Sequence, residues 1–210
     1  MPPPSLLPHL LFIYLSLASP VAHPRDDRTC SGVSLSVFNW TAKAFHYHSL
    51  ISLSGASTSN IQSAGDGYLS FNLSNPALGP SFDQLCTATS TQLDQFFYLD
   101  KWFTCLYTPT SSSSSHLNPI LARTSAASFR FDKVSGRFEV KQDWECDDGP
   151  DPNYPTTSFS GAGGVNIALD CKVDVWQNQN WGSEMLYLNQ TVECGVLDVA
   201  VGLDSLEAMA

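Results

Sequence analysis

The stretch from Ser128 to Cys146, SFRFDKVSGRFEVKQDWEC, restricts the fold more than any other part of the chain. Side chains on a strand alternate between two faces, so Phe138, Val140, Gln142, Trp144 and Cys146 share one side and Arg137, Glu139, Lys141, Asp143 and Glu145 the other. One face is therefore a core face. With Lys133-Val134-Ser135-Gly136 as the loop and Gly136 supplying a positive φ, the register sets Phe131 opposite Phe138 and Phe129 opposite Val140. On the outer face it sets Asp132 opposite Arg137 and Arg130 opposite Glu139, two opposite-charge pairs. A slip of one residue would bury the charges and expose the rings, so the register is firmly specified.

The remaining chain repeats this pattern in shorter pieces. Val33, Leu35 and Val37 alternate into Phe38-Asn39-Trp40, and alternation resumes from Ala42 to Tyr47 and from Ile51 to Leu53. A Gly/Ser/Thr/Asn stretch at 55–67 reads as a break. Further strands are expected at Tyr68 to Leu73, Leu85 to Ser90 and Phe96 to Tyr107. Phe159-Ser-Gly-Ala-Gly-Gly164 reads as a turn or bulge ahead of a strand carrying Val165, Ile167, Leu169 and Cys171, and the last strands are expected at Met185 to Cys194 and Val196 to Val201. No segment keeps an apolar period of 3.6 residues, so the fold class is all-β, a single antiparallel barrel or sandwich of roughly eight to eleven strands.

The first 18 residues read as a signal peptide, with the apolar run Leu10 to Leu17 too short to span a bilayer and Ser16-Leu17-Ala18 as the cleavage signal. Residues 19–29 are expected to be a flexible segment, 30–202 the barrel domain, 109–124 a mobile Ser-rich loop and 203–210 a tail. A secreted, extracellular protein follows. Its net charge of −10 argues against nucleic acid and anionic membranes as partners. Six cysteines, Cys30, Cys86, Cys105, Cys146, Cys171 and Cys194, read as three disulfides in an oxidising compartment, and their arithmetic leaves the pairing open. Asn39, Asn72 and Asn189 begin glycosylation sequons.

Candidate chemistry is sparse. His46 and His48 share a strand face at a spacing that suits a metal, with no third ligand evident, and a polar strand face is the favoured reading. The acidic loop Asp147, Asp148, Asp151 and Asn153 lacks the ligand order of a calcium loop and reads as solvated. No G-x-S-x-G elbow occurs, and no residue is offered as catalytic. Trp176, Trp181 and Tyr187 beside Gln177, Asn178 and Asn180 are the weak candidates for a ligand platform, directed at sugar rings.

Several landmarks occur together in order: Phe38 and Trp40 near Phe45-His46-Tyr47, then Tyr68 to Leu73, Cys86-Thr-Ala88, Phe96-Phe97-Tyr98 and Lys101-Trp-Phe-Thr-Cys105. The hairpin Phe129 to Gln142, Trp144-Glu145-Cys146 and the pair Cys171 and Cys194 complete them. In this the chain resembles the secreted fungal Alternaria-allergen-like family of β-barrel proteins. The resemblance implies bridges Cys86 to Cys105 and Cys171 to Cys194, with an N-terminal cysteine that can join subunits. Here that cysteine is Cys30 and Cys146 is additional, so the comparison implies a third internal bridge between them and a monomer. It also implies a protein of the allergen and elicitor type, binding a host extracellular protein or a small apolar ligand, and with the residue reading above the expectation is a non-enzymatic protein without metal or cofactor. A module for cell-wall carbohydrate is the alternative, and an unrecognised hydrolase the third.

Overall fold

A computed structural model describes residues 29–36, 39–55, 61–79, 82–93, 95–107, 125–148, 156–180 and 185–209. The expected signal peptide, most of the 19–29 segment, the Ser-rich loop, Phe38, Asp151, Asn153 and Trp181 lie outside the described residues. A short helix α1 (Cys30–Ser34) precedes eleven strands: β1 (Asn39–Gly55), β2 (Ile61–Ser74), β3 (Gln84–Ser90), β4 (Phe103–Thr104), β5 (Leu106–Tyr107), β6 (Ala126–Phe131), β7 (Arg137–Cys146), β8 (Thr157–Asn166), β9 (Cys171–Gln177), β10 (Met185–Cys194) and β11 (Leu197–Met209). The order β4-β6-β7-β8-β11-β1-β2-β3-β5 carries a side branch, β10 on β1 and β9 on β10. Every pairing is antiparallel.

The two ends of that order are one stretch of chain. Phe103 and Thr104 pair with β6, Leu106 and Tyr107 pair with β3, and Cys105 between them donates its amide to the Ala127 carbonyl. The sheet thereby nearly closes into a barrel, and the Cys86–Cys105 disulfide sits at the seam. Partner-switching also explains why no single strand occupies Phe96 to Tyr107. Four residues cannot satisfy two neighbours in one continuous ladder, and residues 95–102 take irregular backbone, with Phe96 at φ 62°.

Aromatic rings fill the barrel. Phe45 lies at the centre, 5.8 Å from Phe71, 5.6 Å from Phe131 and 5.3 Å from Phe138, ring to ring. Trp40 meets Trp144 edge to face at 6.4 Å, and Trp144 stacks on Phe159 at 5.5 Å. Edge-to-face and offset contacts of this kind suit the ring quadrupoles and add to the burial itself. The hairpin of β6 and β7 supplies much of this core in the register read from its alternation, with Phe131 opposite Phe138, Phe129 opposite Val140 and Arg130 opposite Glu139. Gly136 has φ 70°, as the loop requires.

The outer face of the hairpin differs from the expected pairs in one respect. The Asp132 carboxylate accepts from the amides of Val134 and Ser135 and so closes the turn, leaving Arg137 to reach Glu139 at 3.1 Å beside the Arg130–Glu139 pair at 2.6 Å. Burial alone pushes the Glu139 carboxyl up. The hydrogen bonds and charges of Arg130 and Arg137 together outweigh it and hold the group below the ordinary carboxylate range. A lowered folded-state value stabilises the protein above the unfolded value of about 4.3, and that stability is lost as pH falls through the folded one. Glu139→Gln is therefore expected to be less stable than the parent near neutral pH, with the difference shrinking towards about pH 3. Urea midpoints across that range measure it, and a constant difference would contradict the assignment.

Other expectations require correction. Val33 lies in α1 and Leu35 is its C-cap, so their alternation does not mark a strand, and Val37 lies outside the described residues. Thr29 caps that helix through its hydroxyl, and the Asp148 carboxylate accepts from the amides of Cys30 and Ser31 at 2.9 and 2.8 Å. The polar stretch at 55–67 is a loop only in part, because Ile61 to Gly67 pair with Gly55 back to Ser49. Phe159 to Gly164 lie within β8, so the turn alternative fails, while the register shift of β11 opposite Gly163 and Ala162 is an irregularity of the kind the bulge alternative expects; the strand placed over Val165 to Cys171 is interrupted at 167–170. There the Ile167 amide bonds the Gly136 carbonyl and ties the connection to the hairpin loop. Residues 203–209 are not a tail: they continue β11 and pair with β8 from Gly163 to Ser158.

Candidate functional site

β1 is long enough to serve two neighbours, and the switch between them builds the most chemically distinctive surface. Asn39 to Phe45 pair with β11, and His48 to Gly55 pair with β10. Between these halves the ladder shifts, Ala44 takes φ 52°, and its amide donates to the Asp198 carboxylate at 2.8 Å. Immediately after this bulge His46 and His48 resume the alternation on one face. His48 lies directly opposite Glu193 of β10, and His46 Nε2 is 2.5 Å from Glu193 Oε1. The imidazole rings are 5.5 Å apart, and that of His48 lies 4.9 Å from Tyr68. Glu193 is the third polar partner that sequence spacing does not reveal, since it is 147 residues from His46.

Beyond the bulge, β9 pairs with β10 alone among the described residues, and its other edge is open there. Val173, Val175 and Trp176 are 57%, 54% and 51% exposed. Trp176 pairs across the ladder with Asn189, while Tyr187 is half-buried and its hydroxyl accepts from Gln177 Nε2 at 2.7 Å. Of the proposed aromatic platform, Trp176 and Tyr187 are thus on the same ribbon. Of the sequons, Asn39 and Asn72 are exposed and Asn189 is half-buried, with its Oδ1 enclosed and unpartnered.

A cleft of about 380 Å³ is bounded by Asp66, Thr89, Phe96, Tyr98, Lys101 and Phe103. Gly67 lets the Phe96 side chain close against β2 at the edge of this cleft, because a Cβ there would stand 2.5 Å from that of Phe96. Trp102, next to the cleft, is held outside the hairpin by Arg130 at 4.7 Å and Lys141 at 4.4 Å from its ring. Asp148, weighed as a calcium ligand, is engaged as a helix cap.

All six cysteines are paired: Cys30 with Cys146, Cys86 with Cys105 and Cys171 with Cys194. The family model of Alternaria alternata allergen 1 matches residues 43–194, well over half of the chain. The chain belongs to that family. The match runs from the bulge of β1 to the end of β10, so it takes in the seam, the hairpin, both histidines and Glu193, while α1, Cys30 and β11 lie outside it. Searches of curated proteins and of solved structures return no match to the chain. Membership of the Alternaria alternata allergen 1 family makes this an allergen-type fungal protein. The family is not a known enzyme family, and its members are generally secreted.

Proposed function

We propose that the protein is a secreted, non-enzymatic binding protein of the allergen and elicitor type, and that it takes up an extracellular host protein along the free edge of β9. The observation carrying this reading is the exposed apolar pair Val173 and Val175 on a strand that, among the described residues, has only one neighbour. An open edge offers a row of backbone donors and acceptors to an added strand, and alternate side chains then supply selectivity. Lys172 and Asp174 face the other way and favour one register over its neighbours. A small apolar ligand inside the barrel is disfavoured, since its axis is occupied by Phe45, Phe71, Phe131 and Phe138, all under 2% exposed.

The test uses the mature protein as bait for plant extracellular fluid, followed by affinity measurement with the purified captured protein. The double variant Val173→Lys/Val175→Lys changes exposed side chains and is expected to weaken binding at least about tenfold with little change in stability. Equal affinity would overturn the edge as the docking site. Carbohydrate recognition, for which the exposed Trp176 speaks, predicts instead a signal on cell-wall glycans that Trp176→Ala abolishes while the double lysine variant retains it.

A further inference from the structure

We propose that His46, His48 and Glu193 form a binding site for one divalent transition-metal ion of the zinc and copper class, clamping β10 to β1 beside the bulge. The three side chains each offer a ligand atom, and those atoms all lie within 4.8 Å of one another. Metal bonds of about 2.0 to 2.2 Å hold neighbouring ligands roughly 3 to 4 Å apart, so side-chain rotation without backbone movement suffices to complete the set. Two imidazoles and one carboxylate are the donor types that zinc and its neighbours accept, with the remaining positions left to water or to an incoming ligand.

The surroundings agree with such a role. His46 Nε2 and Glu193 Oε1 already face each other at 2.5 Å, so a hydrogen bond occupies the space that a cation would bridge. His48 Nδ1 is buried without a hydrogen-bond partner, which is uncommon for a ring nitrogen and leaves no bond at that atom to hold the ring against turning. Glu193 is 58% exposed, which gives an ion access from solvent. Backbone pairing presets the geometry: His48 and Glu193 are direct cross-strand partners, and Tyr68, the partner of His48 on β2, packs its ring against the imidazole. Lys172, paired with Glu193 on the far side of β10, is the nearby cation that a bound ion must tolerate.

The experiment is calorimetric titration of the untagged mature protein with zinc chloride and with copper(II) chloride, alongside His46→Gln, His48→Gln, Glu193→Gln and the control His23→Gln/His116→Gln. The expected result is one equivalent bound by the parent and by the control, with affinity at least about tenfold lower for each variant at the trio. Copper(II) electron paramagnetic resonance of the parent is expected to show two imidazole nitrogens, a readout that no failure of a variant to fold can mimic. Absence of saturable binding by the parent, retention of full affinity in any one of the three variants, or loss in the control would overturn the site.

Discussion

Gln142→Leu is expected to destabilise the barrel by about 2 to 4 kcal/mol, although it puts an apolar side chain on an apolar face. Gln142 is 1% exposed, and its Oε1 accepts from Trp40 Nε1 at 2.7 Å and from Asn75 Nδ2 at 2.8 Å, while its Nε2 donates to Ser125 Oγ at 2.9 Å. Leucine removes one acceptor from two donors in a place that water does not reach. Taking away a buried partner costs the desolvation of the group left behind, roughly 1 to 3 kcal/mol each, which outweighs the gain from a few methyl groups. Urea unfolding that shows a lower midpoint at an unchanged slope would match this expectation. A midpoint equal to or above the parent's would mean that the network holds position without adding stability.

Gln142 also shows where the sequence is readable and where it is not. The two-residue alternation of β7 puts Gln142 on the core face beyond doubt, because a strand has only two sides. Its three partners come from β1, from the turn after β2 and from the residue before β6, and nothing in the local pattern of β7 names them. The hairpin register was legible for the same reason: its determinants lie within one short stretch. The seam at Cys105 was not, since alternation says that residues face inward but not which neighbour they bond, and there the neighbour changes after two residues. The candidate metal site divides along the same line. His46 and His48 were visible as a pair two residues apart, whereas Glu193 joins them only through the pairing of β10 with β1. The start of the domain misled because Val33 and Leu35 alternate by type, while a threonine cap, Asp148 and the bridge to Cys146 select a helix.

The second large effect is expected at Gly163, in the run that composition alone presents as a turn. An ideal Cβ on Gly163 would stand 1.9 Å from the Gly202 carbonyl oxygen and 3.1 Å from Leu203 Cα, both backbone atoms of β11. No rotamer change relieves a clash with backbone, so Gly163→Ala must push β8 and β11 apart or break their ladder. That ladder is irregular at this point: Gly163 pairs with Leu203, Ala162 pairs with Ser205, and the register shifts between them. Glycine is thus required here for close approach of two strands, not for a positive φ, and Gly161 nearby leaves room for the Trp40 ring in the same way, with Trp40 Cη2 3.1 Å from where its Cβ would be. The expected cost exceeds about 3 kcal/mol, enough to lower the yield of folded protein or prevent folding of a domain with ordinary stability. Gly195→Ala is the control, because the nearest atom to its Cβ is the Asp170 carbonyl oxygen at 3.8 Å, and it should stay within about 0.5 kcal/mol of the parent. If both variants unfolded at the parent's midpoint, β8 and β11 would have to lie further apart at Gly163 than this fold places them, and the crossing that brings β11 alongside β8 would need to be redrawn.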